Sequence, residues 1–293
     1  MSNSNSGLIL LDKPKGYTSF KAAAAIRRIY GIKRVGHTGT LDPMATGVLP
    51  ILIGRATRLC SLVLEADKRY TATVRLGVTT DSLDITGNIL TKTVPNVSHE
   101  QLVAAIEYFN GEYDQIPPMF SAISKNGVRM YDLARKGIEV EREPRRVNIK
   151  EINLLNRNGD EFIIDVLCSK GTYIRSLADD LGKFLGCGAV LTELRRTVTA
   201  QFDLSSCVSL EEIERCPEQY LLSPEKAVEY LKSVEISEPQ CRRFLNGAPL
   251  DLARVSVQNI NEKELLRVHC NGQFLGIGEV LNGAITTKCV ICD

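Results

Sequence analysis

The chain has 293 residues, a formal net charge of +1 and 44% hydrophobic content, enough to close a core as one large domain or as a large domain with a small one. Near-neutrality excludes a general polyanion coating, so any nucleic-acid contact has to come from a local basic face. No apolar run reaches the roughly 18 residues of a membrane span, the polar start lacks a signal-peptide pattern, and the nine scattered cysteines suit free thiols in a reducing compartment, so a cytoplasmic address and no membrane partner are expected.

Residues 7–11, GLILL, read as a buried strand that ends in a turn at Pro14 and Gly16. Thr18 or Ser19 can then cap a helix through residues 22–26, with Gly31 as its stop. Residues 36–50, GHTGTLDPMATGVLP, hold three glycines, two prolines, a histidine and one carboxylate, Asp42, with neither helical nor strand periodicity. The backbone is being shaped there: Pro43 biases Asp42 toward an extended conformation, and the small neighbours leave little bulk between the carboxylate and a ligand. Composition alone fits a surface turn equally well. Residues 47–54 read as a buried strand with an edge-type proline, and residues 56–64 as a short helix.

Residues 68–77 alternate, placing Tyr70, Ala72, Val74 and Leu76 on one strand face, so Tyr70 points inward or into a cleft. Residues 81–87, DSLDITG, lack the regular ligand spacing and later Glu of a calcium loop and read as a turn. Ser98 and Gln101 form a capping-box pattern opening a helix through Leu102, Val103, Ile106 and Phe109, with His99 facing solvent. From about 115 to 147 the composition shifts. Lys125, Arg129, Arg135, Lys136, Arg142, Arg145 and Arg146 crowd a segment with Phe120, Met130 and Tyr131, the mixture of phosphate-pairing cations and stackable groups that structured RNA demands. The interleaved Asp132, Glu139, Glu141 and Glu143 leave a solvated helix face as the alternative.

Residues 161–168 read as a strand feeding a helix with Thr172 as N-cap. Arg175 then lies in the first turn, where the macrodipole disfavours a cation, so an anionic partner is expected. Leu194 reads as core. Capped helices are expected after Ser209 and Ser223, and from about residue 234 short strands with glycine-rich turns form a small β domain. Cys289 and Cys292 are a lone C-x-x-C without the further ligands a zinc site needs, so no metal is expected.

The run G-H-T-G-T-L-D-P-x-A-T-G-V-L resembles the catalytic loop of the TruB family of bacterial tRNA pseudouridine-55 synthases. D-K-P-x-G-x-T-S near the start, D-K-x-Y-x-x-x-x-x-L-G around Tyr70, S-K-G-T-Y-I-R-S-L around Arg175 and the segment from Gly186 to Arg196 are similar to further blocks of that family. The resemblance spans nearly all of residues 7–200 and implies an α+β fold with a mixed or antiparallel sheet. It places a catalytic domain at 7–232, an inserted RNA-gripping, thumb-like segment at about 115–147, and a small C-terminal PUA-like β domain at 233–293.

By the same resemblance Asp42 is the nucleophile, Arg175 its partner, Tyr70 the ring against the target base and Leu194 the floor of the site. His37 fills the gap left by a flipped nucleotide, and Tyr173, Lys13, Lys125, Arg129, Arg142, Arg145 and Arg146 are further substrate contacts. The implied reaction isomerises uridine 55 in the T-arm of tRNA, by a monomer with no required protein partner. It breaks the bond from the sugar to N1, turns the base and rejoins it through C5; nothing is gained or lost, so no cofactor is expected. A carboxylate can attack either the sugar or the base, and a guanidinium beside it keeps it ionised. The rivals are a guide-RNA-dependent synthase working inside a ribonucleoprotein and a tRNA-folding chaperone.

Overall fold

The computed structural model describes residues 6–121, 124–125, 128–130, 138, 140–255 and 259–292. In chain order the elements are β1 (Gly7–Lys13), α1 (Ser19–Ile29), β2 (Val35–His37), β3 (Thr46–Ile53), α2 (Cys60–Leu64), β4 (Lys68–Leu76), β5 (Val78–Thr80), β6 (Ile89–Lys92), α3 (His99–Tyr108) and β7 (Gly111–Gln115). There follow β8 (Ser124–Lys125), β9 (Val128–Arg129), β10 (Arg145–Asn158), β11 (Glu161–Cys168), α4 (Ile174–Phe184), β12 (Ala189–Thr199), β13 (Phe202–Asp203) and α5 (Leu210–Arg215). The last elements are β14 (Lys232–Glu235), α6 (Glu238–Leu245), β15 (Leu250–Asp251), β16 (Leu265–Cys270), β17 (Gln273–Leu281) and β18 (Ala284–Val290). Among the described residues no helix is long and apolar enough to cross a membrane.

Two compact units divide the chain. One takes the residues up to Asp42, Leu49–Glu65 and everything from Ser205; the other takes Pro43–Val48 and Ala66–Leu204. In the first unit β1 is buried nearly throughout, as its unbroken apolar run requires, and bridges join Leu8 to Leu222 and Leu11 to Val208. The Thr18 side chain accepts from the Lys21 N–H and opens α1, which stops at Gly31 in a left-handed conformation (φ +62°). β2 pairs antiparallel with β3 from Val35 opposite Ile53 to His37 opposite Ile51. The ladder ends there because Pro50 has no N–H to give; its carbonyl accepts from the Thr38 N–H at 3.1 Å. Pro50 is therefore buried at the end of a ladder, not on an open edge. The expected helix at 56–64 starts instead as a 3₁₀ turn, Gly54–Leu59, and becomes α-helical only at Cys60.

The C-terminal part of this unit is a five-stranded sheet, β14-β16-β17-β18-β15, closed by Phe244 of α6 over Leu266, Val268, Leu275 and Ile285. Arg58 donates to the Val290 carbonyl at 2.6 Å and Arg55 to that of Cys292, which ties the end of β18 to the 3₁₀ turn. Ser209 forms a capping box with Glu212 at the start of α5. The segment after Ser223 is a 3₁₀ turn, Pro224–Val228, in place of the expected α-helix.

In the second unit β12, β4, β11, β10 and β7 form an antiparallel array, to which Thr46 and Gly47 of β3 add a parallel pairing with Arg195 and Arg196. α3 opens with a Ser98–Gln101 capping box, and His99 is exposed. α4 packs against β12 and buries Arg175, Leu177, Ala178 and Leu181. The sheet is thus mixed and the fold α+β, with a separate β sheet at the C-terminal end.

Candidate active site

Asp42 is half-buried and irregular in conformation, between Leu41 (3% exposed) and an exposed Pro43. Its approach is fixed from α1. The buried Ser19 hydroxyl accepts from the Leu41 N–H at 2.8 Å and donates to the Leu41 carbonyl at 3.1 Å, so both backbone groups of the residue before Asp42 are held by one side chain. Thr38, fully buried, donates its N–H and hydroxyl to the Pro50 carbonyl, and Gly39 takes φ +98°, which few other residues tolerate. His37 ends β2, half-buried. Lys13 is withdrawn from solvent, its ammonium donating to the Pro14 and Tyr17 carbonyls at 3.0 and 2.6 Å.

The exit from the loop is fixed in the second unit. Gly47, at φ +104°, lets β3 pass so close to β12 that a Cβ there would lie 2.1 Å from the Arg196 carbonyl oxygen. Arg196, 1% exposed, donates from Nε to the Val48 carbonyl at 2.7 Å, and Arg195 donates to the Thr46 hydroxyl at 3.1 Å.

Tyr70 and Leu194 share a sheet face. Tyr70 stands opposite Val166 on β11 and Arg196 on β12, while Leu194 stands opposite Ala72, two residues from Tyr70 on the same strand. Both are under a tenth exposed. Arg175 lies in the first turn of α4 and is 4% exposed. The helix opens at Tyr173, one residue after the expected Thr172, whose hydroxyl instead donates to the Ser169 carbonyl.

Within this unit Arg175 donates to the Ser82 carbonyl at 3.0 Å and the Phe120 carbonyl at 2.8 Å, and its Nη1 lies 3.8 Å from Asp84 Oδ2. The other oxygen of Asp84 accepts from the Ser82 and Thr86 hydroxyls and from the Thr86 N–H. A buried cation at a helix N-terminus is therefore offset by a buried carboxylate and two carbonyls, each charge-assisted. Sequence reading missed Asp84. The turn that holds it runs through Leu83 at φ +64°, and its only signal was a second acid in a Ser- and Thr-rich turn.

In the same unit a cavity of 630 Å³ is lined by Leu83, Ile116, Phe120, Arg142, Asp180 and Lys183 among others. Burial pushes the Asp180 carboxyl up to about 6, with Asp179 adding to the shift and Lys183 opposing it. Arg142 donates to the Pro117 carbonyl at 3.2 Å. Arg145 and Arg146 are exposed at the start of β10, opposite Gln115 and Asp114, and Arg146 faces Glu112 and Asp114 at 3.3 and 3.6 Å. The backbones of Lys125 and Arg129 form the β8–β9 pair; their side chains, and Tyr131, Asp132, Arg135, Lys136 and Glu139, lie outside the described residues.

Residues 27–174 match the profile of the TruB family pseudouridylate synthase N-terminal domain. Residues 175–235 match the tRNA pseudouridylate synthase B C-terminal domain and residues 233–291 the pseudouridine synthase II TruB C-terminal domain. The tRNA pseudouridine synthase B of Azoarcus sp. (strain BH72) is 43% identical over 289 residues, covering 97% of this chain and 94% of the relative. That of Clostridium tetani (strain Massachusetts / E88) is 43% identical over 275 residues, covering 93% of this chain and 95% of the relative. Among solved structures, a Cbf5-Nop10-Gar1 complex aligns with a TM-score of 0.77 at 27% identity, over 98% of this chain and 85% of the other. By sequence along its whole length and by fold, the chain belongs to the TruB family of pseudouridine synthases.

Proposed function

We propose that this protein is a stand-alone tRNA pseudouridine synthase that converts uridine 55 of the T-arm to pseudouridine. The observation that carries the reading is the 43% identity, over nearly full length on both sides, to relatives described as tRNA pseudouridine synthase B. The relatives solved in an H/ACA RNP bound to a substrate RNA and in a Cbf5-Nop10-Gar1 complex are more distant, at 25 and 27% identity. The substrate is tRNA, the protein acts as a cytoplasmic monomer, and no protein partner is required. The catalytic domain is residues 7–232 with the insertion at about 115–147, and the C-terminal domain is 233–293; the junction of two family matches near residue 233 supports that division.

Asp42 is the nucleophile of this reading, and Arg175 keeps a carboxylate ionised and oriented. Tyr70 stacks on the detached uracil, Leu194 lies under it, and His37 fills the space that the flipped nucleotide vacates. Flipping costs on the order of a few kcal/mol, recovered from phosphate and stacking contacts. Tyr173, Lys13 and the cations Lys125, Arg129, Arg142, Arg145 and Arg146 complete the tRNA contacts.

The test is incubation of the purified protein with an unmodified tRNA transcript, followed by mapping of pseudouridine. Modification at position 55 without added RNA or protein is the expected result. Modification only in the presence of a guide RNA and partner proteins would favour the ribonucleoprotein enzyme, and tight tRNA binding with no modification a chaperone.

A further inference from the structure

β7 ends at Gln115 and α4 opens at Tyr173, and one side chain joins the two points. The Tyr173 N–H donates to Gln115 Oε1 at 2.8 Å, and Gln115 Nε2 donates to the Tyr173 carbonyl at 3.1 Å. Gln115 is 1% exposed, so these bonds have no competition from water. Its Nε2 also donates to the Tyr113 hydroxyl, which itself faces Asp180. Two further bonds run between the same segments: Ser176 Oγ donates to the Ile116 carbonyl at 2.8 Å, and Arg175 Nη2 to the Phe120 carbonyl at 2.8 Å.

Tyr173 is the N-cap of α4 and has no side-chain cap of its own. The amide of Gln115, which supplies a donor and an acceptor together, holds both backbone groups of this extended residue (φ −104°, ψ 111°). Neither an apolar residue nor an ionised carboxylate of that size does both. Two residues on, the guanidinium of Arg175 inherits the position of that cap. Because Gln115 is also the last residue of β7, where the basic segment begins, the root of that segment and the first turn of α4 are held as one body.

We infer that Gln115 is a positioning residue for the reaction, setting the first turn of α4 and through it the place of Arg175. The inference rests on the reading of Arg175 as an active-site cation, so the experiment separates the two. Single-turnover rates at saturating tRNA transcript, tRNA affinities and melting temperatures are measured for wild type, Gln115→Ala, Gln115→Glu, Arg175→Ala and the double variant Gln115→Ala/Arg175→Ala.

A displaced guanidinium predicts a ten- to hundredfold slower step in Gln115→Ala with tRNA affinity within about threefold. The double variant is then no slower than Arg175→Ala alone, since Gln115 acts through the arginine. Gln115→Glu, which fills the same space, is slow at pH 8 and recovers relative to wild type as acid protonates its carboxyl and restores a donor to the Tyr173 carbonyl. A wild-type rate in Gln115→Ala, or losses that multiply in the double variant, overturns the inference. So does a wild-type rate in Gln115→Glu at pH 8, a readout that survives if the alanine variant fails to fold. A wild-type rate in Arg175→Ala overturns the role of Arg175 itself.

Discussion

Gly47→Ala tests how the loop carrying Asp42 is held. At Gly47 φ is +104°, and an added Cβ would lie 2.1 Å from the carbonyl oxygen of Arg196 and 2.9 Å from its N and C atoms. The obstacle is backbone inside a sheet, so no flexible side chain can yield. A normal contact needs about 1 Å of separation between β3 and β12. That movement strains the parallel pairing of Gly47 with Arg196 and the bond from Arg196 Nε to the Val48 carbonyl. Holding an L-residue at this φ costs about 1–3 kcal/mol, and overpacking or a weakened buried hydrogen bond costs a similar amount. The sum is about 4 kcal/mol, or roughly 8–16 °C in melting temperature for a domain of this size. Calorimetry of wild type and variant reads it directly. A variant melting within about 2 °C of wild type would refute the close approach of the two strands.

Asp84→Asn keeps an oxygen for Ser82 and Thr86 but turns an amide toward Arg175, removing one carboxylate from beside a buried guanidinium. Stability falls by about 2–3 kcal/mol and the single-turnover rate by at least about tenfold with tRNA affinity little changed, as stopped assays on a tRNA transcript will show; a wild-type rate removes Asp84 from the account. Neutralising Arg142, Arg145 and Arg146 together weakens tRNA binding more at low salt than at high, flattening the plot of log affinity against log salt by about 0.7–0.9 per lost phosphate contact. Arg145 accounts for more of the effect than Arg146, which already faces two acids. Asp180 has its carboxyl raised from 3.8 to about 6, so its contribution to stability is complete below 3.8 and lost as pH rises through 6. Asp180→Asn is therefore more stable than wild type at pH 8, by about 1–2 kcal/mol after allowance for water at this partly exposed group, and gains nothing at pH 4, as thermal melts at the two pH values will show.

The parts of the fold legible in the sequence are those where local chemistry dictates structure. Thr18, Ser98 and Ser209 cap helices as their patterns require, and Gly31 ends α1. The alternation that puts Tyr70, Ala72 and Val74 on one buried face of β4 is unbroken. β10 and β12 escaped because bulges interrupt their period. Register shifts between Ile149 and Glu151, between Leu154 and Asn156, and twice within β12 move successive side chains off a two-residue repeat. α6 escaped although Ser237 and Gln240 carry a capping-box spacing. At the candidate site, the Gly- and Pro-rich loop drew the sequence reading to Asp42, whereas Asp84 showed only as a second acid in a Ser- and Thr-rich turn and Gln115 gave no local sign. Their roles depend on partners some 90 and 60 residues away in sequence, Arg175 and Tyr173. The N-cap of α4 falls at Tyr173 and not at Thr172, whose hydroxyl is turned back to the Ser169 carbonyl.

The central claim is that Asp42 supplies the carboxylate for the rearrangement, and forming the bond at C5 expels the hydrogen that C5 carried. Release of tritium from a tRNA transcript labelled at C5 of its uridines therefore counts turnovers without separating products. Wild type is expected to release the label of one uridine per tRNA, at position 55. Asp42→Asn, checked by mass spectrometry for absence of deamidation, is expected to bind tRNA within a few-fold of wild type and release none above background. Release at the wild-type rate from that verified variant would contradict the account.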